Sequence, residues 1–149
     1  MRRLIGFKKK SAPSQITVTT GAGHGSTNTK IRRIETAHTN LGKAISVTHS
    51  ATAGTSFKIN ESGIYAIEYT EQHNALFAAG ISRNSAELTT SVGSLTASTL
   101  LGLSYNAADD GASVSWTGWL NAGDIIRPHT DAAPAATTIF VRFNITKVD

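Results

Sequence analysis

Residues 137–148 alternate strictly: Ile139, Val141, Phe143 and Ile145 fall on one side, and Thr138, Phe140, Arg142, Asn144 and Thr146 on the other. A period of two is the mark of a β-strand with one buried face, and no helix can satisfy it. A strand of this length suits a central position in a sheet. Shorter runs repeat the pattern. Ile16 and Val18 alternate within 15–20, Phe57 and Ile59 within 55–60, Tyr65, Ile67 and Tyr69 within 64–70, and Phe77, Ala79 and Ile81 within 76–83. In 113–120, Val114, Trp116, Gly118 and Leu120 oppose Ser115, Thr117 and Trp119. Further strands are predicted over 30–38, 44–49 and 86–90, and one from Ile125 that ends near Pro128. Residues 94–106 fit either a short helical turn or an irregular strand, through Leu95, Leu100, Leu101 and Leu103. Turn residues punctuate the runs: the Gly-rich stretch 21–26, a hairpin at Asn40-Leu41-Gly42, Gly63, 82–85 and 107–111. Eight to ten short strands without an amphipathic helix imply an all-β antiparallel sandwich.

Charge is distributed unevenly. The chain has 149 residues, enough for one domain, and only 16% are charged. Arg2, Arg3, Lys8, Lys9 and Lys10 place five of the 14 basic residues in the first ten positions, where no acid lies. Nine basic residues then face ten acidic ones in the remainder, so the net charge of +4 belongs to the start of the chain. Residues 1–14 read as a basic N-terminal arm and 15–149 as the sandwich domain. Leu4, Ile5 and Phe7 interrupt the cations, which suits an arm that lies on a partner surface. Phosphate neutralisation would use the cations alone, and base stacking would want more aromatics than Phe7, so a protein partner is favoured over nucleic acid. The apolar runs are too short to span a membrane, and no signal-peptide core follows the first basic residues.

Reactive chemistry finds little purchase. There is no Cys, hence no disulfide, thiolate nucleophile or Cys-based zinc site. No Gly-x-Ser-x-Gly elbow is present. His24, His38, His49, His73 and His129 show no pair at metal-ligand spacing. His73 with Glu68 and Glu71 is the nearest approach to a metal set, and Asp109-Asp110-Gly111 falls short of the six to eight oxygens calcium takes. Neither an enzyme nor a cofactor is expected. Of the two tryptophans, on opposite faces of one strand, one belongs in the core and the other at a surface.

The order of Phe57-x-Ile59 before Gly63-Ile64-Tyr65, then Ile81 and Asn84, then Leu120-x-x-Gly123-Asp124 and Phe143-x-Ile145 resembles the globular-head domains of the complement and tumour-necrosis-factor type. That resemblance covers roughly 30–148. It implies a jelly roll that assembles as a homotrimer, with tight turns at Gly63 and Gly123 and with Asp124 capping its turn. Tyr65, Tyr69 and Phe140 are the candidate trimer contacts. The phrase from Val114 through Asp131, and Asn28 through Arg33, further resembles small jelly-roll proteins of tailed bacteriophages. This implies a virion component, made in the host cytoplasm. The reading is a capsid decoration or cement protein on the head surface, held to the capsid-protein lattice by Arg2, Arg3, Leu4, Ile5, Phe7, Lys8, Lys9 and Lys10. The other reading is a receptor-binding or adhesion module of the tail, with 107–111 or 130–136 as contact loops.

Overall fold

The computed structural model describes residues 13–73, 76–107, 110–131 and 138–148. Among these are ten strands: β1 (Ser14–His24), β2 (Arg32–Leu41), β3 (Ile45–Ser50), β4 (Gly54–Ile59), β5 (Gly63–His73), β6 (Phe77–Arg83), β7 (Leu100–Asn106), β8 (Gly111–Leu120), β9 (Ile125–Thr130) and β10 (Thr138–Lys147). They form two five-stranded sheets, ordered β2-β1-β10-β5-β8 and β3-β4-β9-β6-β7. Every named pairing is antiparallel. The alternating C-terminal strand, β10, lies at the centre of the first sheet, between β1 and β5. The architecture is the jelly-roll sandwich that the alternation and the resemblance implied.

The core lies between the sheets. Ile16, Val18, Tyr65, Ile67, Tyr69, Phe143 and Ile145 project from one sheet, and Phe57, Ile59, Ile81 and Ile126 from the other, all of them fully buried. Phe57 and Phe143 stack across the gap with ring centroids 4.6 Å apart and planes 13° from parallel. Such a pair adds about 0.5–1.5 kcal/mol to the area it buries.

Several local expectations are corrected. The Gly-rich stretch 21–26 is not simply a turn, because β1 runs on to His24 through shifts in its register with β2. Asn40-Leu41-Gly42 does not close a hairpin: β2 and β3 lie at edges of different sheets, and Gly42 (φ +75°) turns the chain from one sheet to the other. Gly63 has no positive φ; it is the first residue of β5 and pairs with Leu120. No strand forms over 86–90, which is turn and bend. Pro128 sits inside β9, opposite Ile81. Its missing N–H is tolerated because β9 pairs with β4 only through Ile125 and Ile126. Ser14, assigned to the arm, already pairs with Lys147 and is buried.

Residues 94–106 resolve into both of their readings: 3₁₀ turns at Val92–Ser94 and Ala97–Thr99, then strand β7. Val92 and Leu95 pack on Ala78, so β6 is covered on both faces. The turn at 121–124 is built as expected. Gly123 has φ +98°, and the Asp124 carboxylate accepts from the Asn121 N–H at 2.9 Å and from Asn84 Nδ2 at 2.7 Å.

Candidate functional site

Strict alternation in β1, β10, β5 and β8 gives the first sheet an outer face that can be read row by row. Thr117, Ala66, Thr146 and Gln15 lie side by side, as do Ser115, Glu68, Asn144 and Thr17, and then Ser113, Thr70, Arg142 and Thr19. Glu68 and Arg142 are the charges in these rows. Hydroxyls and amides bond along the face, with Asn144 Oδ1 accepting from Thr17 Oγ1 at 2.7 Å and from Gln15 Nε2 at 2.9 Å. At one end Trp119 pairs with Ile64, whose carbonyl accepts the Val148 N–H at 2.9 Å. These three side chains are 55%, 41% and 54% exposed. At the other end stands Phe140, 40% exposed. A flat face with few charges and exposed aromatics at its ends is what a protein contact uses.

The sequence-predicted contacts divide on this geometry. Phe140 is on the face. Tyr65 and Tyr69 are not: both are fully buried within one chain, because they share the inward parity of Ile67. The Tyr65 hydroxyl donates to the Glu61 carbonyl at 2.6 Å, and the Tyr69 ring leans on Phe143 at 5.5 Å. Neither has surface left for a neighbour, whereas Trp119, Ile64 and Val148 do. Trp116 packs against the core and Trp119 is the surface tryptophan, its Nε1 donating to Asn121 Oδ1 at 3.1 Å. Arg2, Arg3, Leu4, Ile5, Phe7, Lys8, Lys9 and Lys10 lie outside the described residues, as does Asp109.

The same parity produces a feature the sequence reading missed. Beyond Tyr69, the inward positions of β5 are Glu71 and His73, and both are fully buried. Arg32, at the start of β2, is 1% exposed and places Nε 2.5 Å from Glu71 Oε1. Its Nη1 donates to the Gly23 carbonyl at 2.6 Å. Gly21 leaves room for the guanidinium: a Cβ there would stand 2.4 Å from Arg32 Nη2. His73 Nε2 also reaches Glu71 Oε1, and the Tyr69 hydroxyl donates to Oε2. Burial alone would raise the Glu71 pKa. The hydrogen bond from His73, the Arg32 charge and the Tyr69 hydroxyl outweigh it and hold the carboxyl below its usual range. Burial, then the neighbouring Glu71 charge, pushes Tyr69 well above 10, so its hydroxyl stays a donor.

Among the described residues, Tyr69, Glu71, His73 and Arg32 are sealed from solvent. The metal set considered from sequence does not form, because Glu68 has the opposite parity and faces out while Glu71 and His73 face in. Among the described residues no group of three or more His, Asp or Glu side chains could hold a metal ion. Also among them, no helix is long and apolar enough to cross a membrane. A cleft of about 440 Å³ opens beside Phe140, lined also by Thr19, Thr20, His38 and Arg142. The Arg142 guanidinium lies over the Phe140 ring, 5.5 Å from its centroid. Thr20, in the irregular part of β1, has φ +71°. The cleft's polar side chains other than Thr19 are exposed, and they make a shallow groove rather than an enclosed pocket.

No protein-family model and no curated protein matches the sequence. Solved structures do match the fold. Murine APRIL at pH 8.0 superposes with a TM-score of 0.67 at 13% identity, covering 91% of this chain and 99% of that one. The globular domain of zebrafish complement 1qA protein gives 0.58 at 12%, covering 91% and 98%. GITRL from bushbaby gives 0.55 at 16%, covering 91% and 94%. At these identities the likeness concerns architecture, and it agrees with two antiparallel five-stranded sheets with β10 central: the chain has the jelly-roll fold of the tumour-necrosis-factor and complement globular-head type.

Proposed function

We propose that this chain is a self-assembling structural module, a homotrimer and not an enzyme, and that it serves in a bacteriophage virion as a decoration or cement protein on the head. The observation that carries the assembly is the outer face of β1, β10, β5 and β8, low in charge and bounded by Trp119, Ile64, Val148 and Phe140. Covering the exposed half of each of those apolar side chains is worth about 0.7–1.5 kcal/mol. A face of hydroxyls and amides left in water would gain nothing from its lack of charge. The fold likeness to APRIL and the complement domain supports a recognition or assembly role over catalysis.

The virion assignment rests on the phage-like phrase from Val114 through Asp131 and on the basic start of the chain. In this reading residues 1–12 grip the capsid-protein lattice, and binding only to the assembled shell stabilises it by mass action. A second reading, a tail receptor-binding module, is favoured by the cleft beside Phe140, which has room for a small ligand group. Electron microscopy of particles labelled for this protein separates them: label on the head supports decoration, label on the tail supports receptor binding, and absence from particles refutes both.

A further inference from the structure

Three of the five histidines gather at one end of the sandwich, where β1, β5 and β9 finish. We propose that His24 and His129 form an acid-triggered device that loosens this end of the sandwich while the opposite end stays closed. His24 and His129 are bonded to hydroxyl and carbonyl groups, while His73 bonds a carboxylate. His24 Nε2 meets the Thr130 hydroxyl at 2.7 Å, and that hydroxyl donates onward to the Lys30 carbonyl. His129 is fully buried; its Nε2 donates to the Thr90 carbonyl at 2.8 Å, and Nδ1 faces the Ser82 hydroxyl at 3.2 Å. His73 is fully buried, gives Nε2 to Glu71 and stands edge-on to Phe77 at 4.5 Å. Its Nδ1 is buried without a hydrogen-bond partner among the described residues.

The rings are linked through the backbone and through shared charges. Thr130 follows His129 in β9 and bonds His24 in β1. Facing His24 are Arg32 from β2, Glu71 and His73 from β5, and Lys30 from the turn before β2. Facing His129 are Arg127 on its own strand, Glu87 from the 86–90 turn, and Lys30. Beside His73 stand Glu71 on its own strand, Phe77 on β6 and His24 on β1. Glu71 already answers the Arg32 charge, so added protons bring uncompensated positive charge into this end. Burial first, and then Arg32, lowers His24 to about 4, and burial lowers His129. Both therefore oppose protonation while folded and accept it once the end opens. The closed state is favoured fully above about pH 6.5 and progressively less as pH falls toward the folded value. For His24 that difference is about 30-fold at pH 5, reduced to about tenfold for a ring partly open to solvent. His38 and His49 are exposed and serve as internal controls.

The test is amide hydrogen exchange on the full chain at pH 7.5, 6.0 and 5.0, read as protection factors. At the histidine end, the amides of Gly25, Ile31 and Thr130 donate to Ile31, Asn28 and Lys30 carbonyls; at the far end, those of Ile59 and Gly123 bond Asp124 and Ile59. We expect protection at the first group to fall about tenfold or more by pH 5.0, with the second changing less than threefold. His24→Gln should shrink the response, and the double variant His38→Gln/His49→Gln should leave it intact. Equal loss at both ends, or a response abolished by the His38/His49 variant, would overturn the proposal. The wild-type comparison decides the matter even where a variant fails to fold.

Discussion

Replacing Glu71 with Gln keeps the shape of a fully buried side chain and removes its charge. Arg32, 1% exposed, then keeps a buried guanidinium without the carboxylate 2.5 Å from Nε. Breaking a buried pair by removing one partner costs about 3–5 kcal/mol. Domains of this kind are stable by only about 5–15 kcal/mol. With a urea dependence of about 2 kcal/mol per molar, the midpoint for Glu71→Gln should drop by about 1.5–2.5 M. The double variant Glu71→Gln/Arg32→Met removes both charges and should recover most of that loss, giving a coupling well outside additivity. The wild type should also lose this contribution in acid. The folded carboxyl lies below its unfolded value of about 4.3. Its stabilisation is thus present above that pH and disappears as pH falls through the folded pKa, whereas the Gln variant shows no such step. Urea melts of the wild type, Glu71→Gln, Arg32→Met and the double variant at pH 7 and pH 3.5 measure all of this. A single-variant shift below about 0.3 M, or an additive double variant, would mean the pair does not hold β2 to β5 as argued.

Gly123→Val should destabilise by about 1–3 kcal/mol through backbone strain alone, because φ is +98° and a Cβ there would meet nothing within 4 Å; an unchanged melting temperature would refute the turn assignment. Gly54→Ala should cost more than Gly123→Ala, since its Cβ would stand 2.6 Å from Ile31 Cγ2 as well as at φ +79°; calorimetry of the two proteins ranks them. Overall stability should decline from pH 6.5 toward pH 4, with His24 contributing about 1–2 kcal/mol after discounting for its partial exposure; a urea midpoint flat across that range contradicts the neutral-histidine account. On the proposed virion reading, deleting residues 1–12 should leave the folded sandwich intact and remove most of the affinity for particles lacking the protein, as read by co-sedimentation; undiminished binding would place the attachment surface on the sandwich.

Period-two alternation made most strands legible, and the parity of Ile139 through Ile145 even indicated the central place of β10. The same rule, followed further, would have found the buried cluster. Tyr65, Ile67 and Tyr69 predict an inward face, and two more steps reach Glu71 and His73. Ending that strand at Thr70 hid the cluster and left the tyrosines free to be read as contacts. Arg32 was hidden likewise, two residues before the inward Ile34. Which strands join which sheet was not legible, since Asn40-Leu41-Gly42 is equally good chemistry for a hairpin and for a crossing between sheets. The apolar end of the outer face was partly legible. One of the two tryptophans was placed at a surface without deciding which, and the pairing of Trp119 with Ile64 depends on the β5–β8 register, which a single sequence does not encode locally.

Sedimentation equilibrium of the full chain at micromolar concentration, alongside Trp119→Ser/Ile64→Ser, tests the assembly claim most directly. The account predicts a wild-type mass of three 15.7 kDa chains, unchanged by chelator, and a variant that dissociates while keeping its β-sheet spectrum. A wild-type monomer, or a variant that assembles as tightly as the wild type, would contradict assembly through the outer face of β1, β10, β5 and β8.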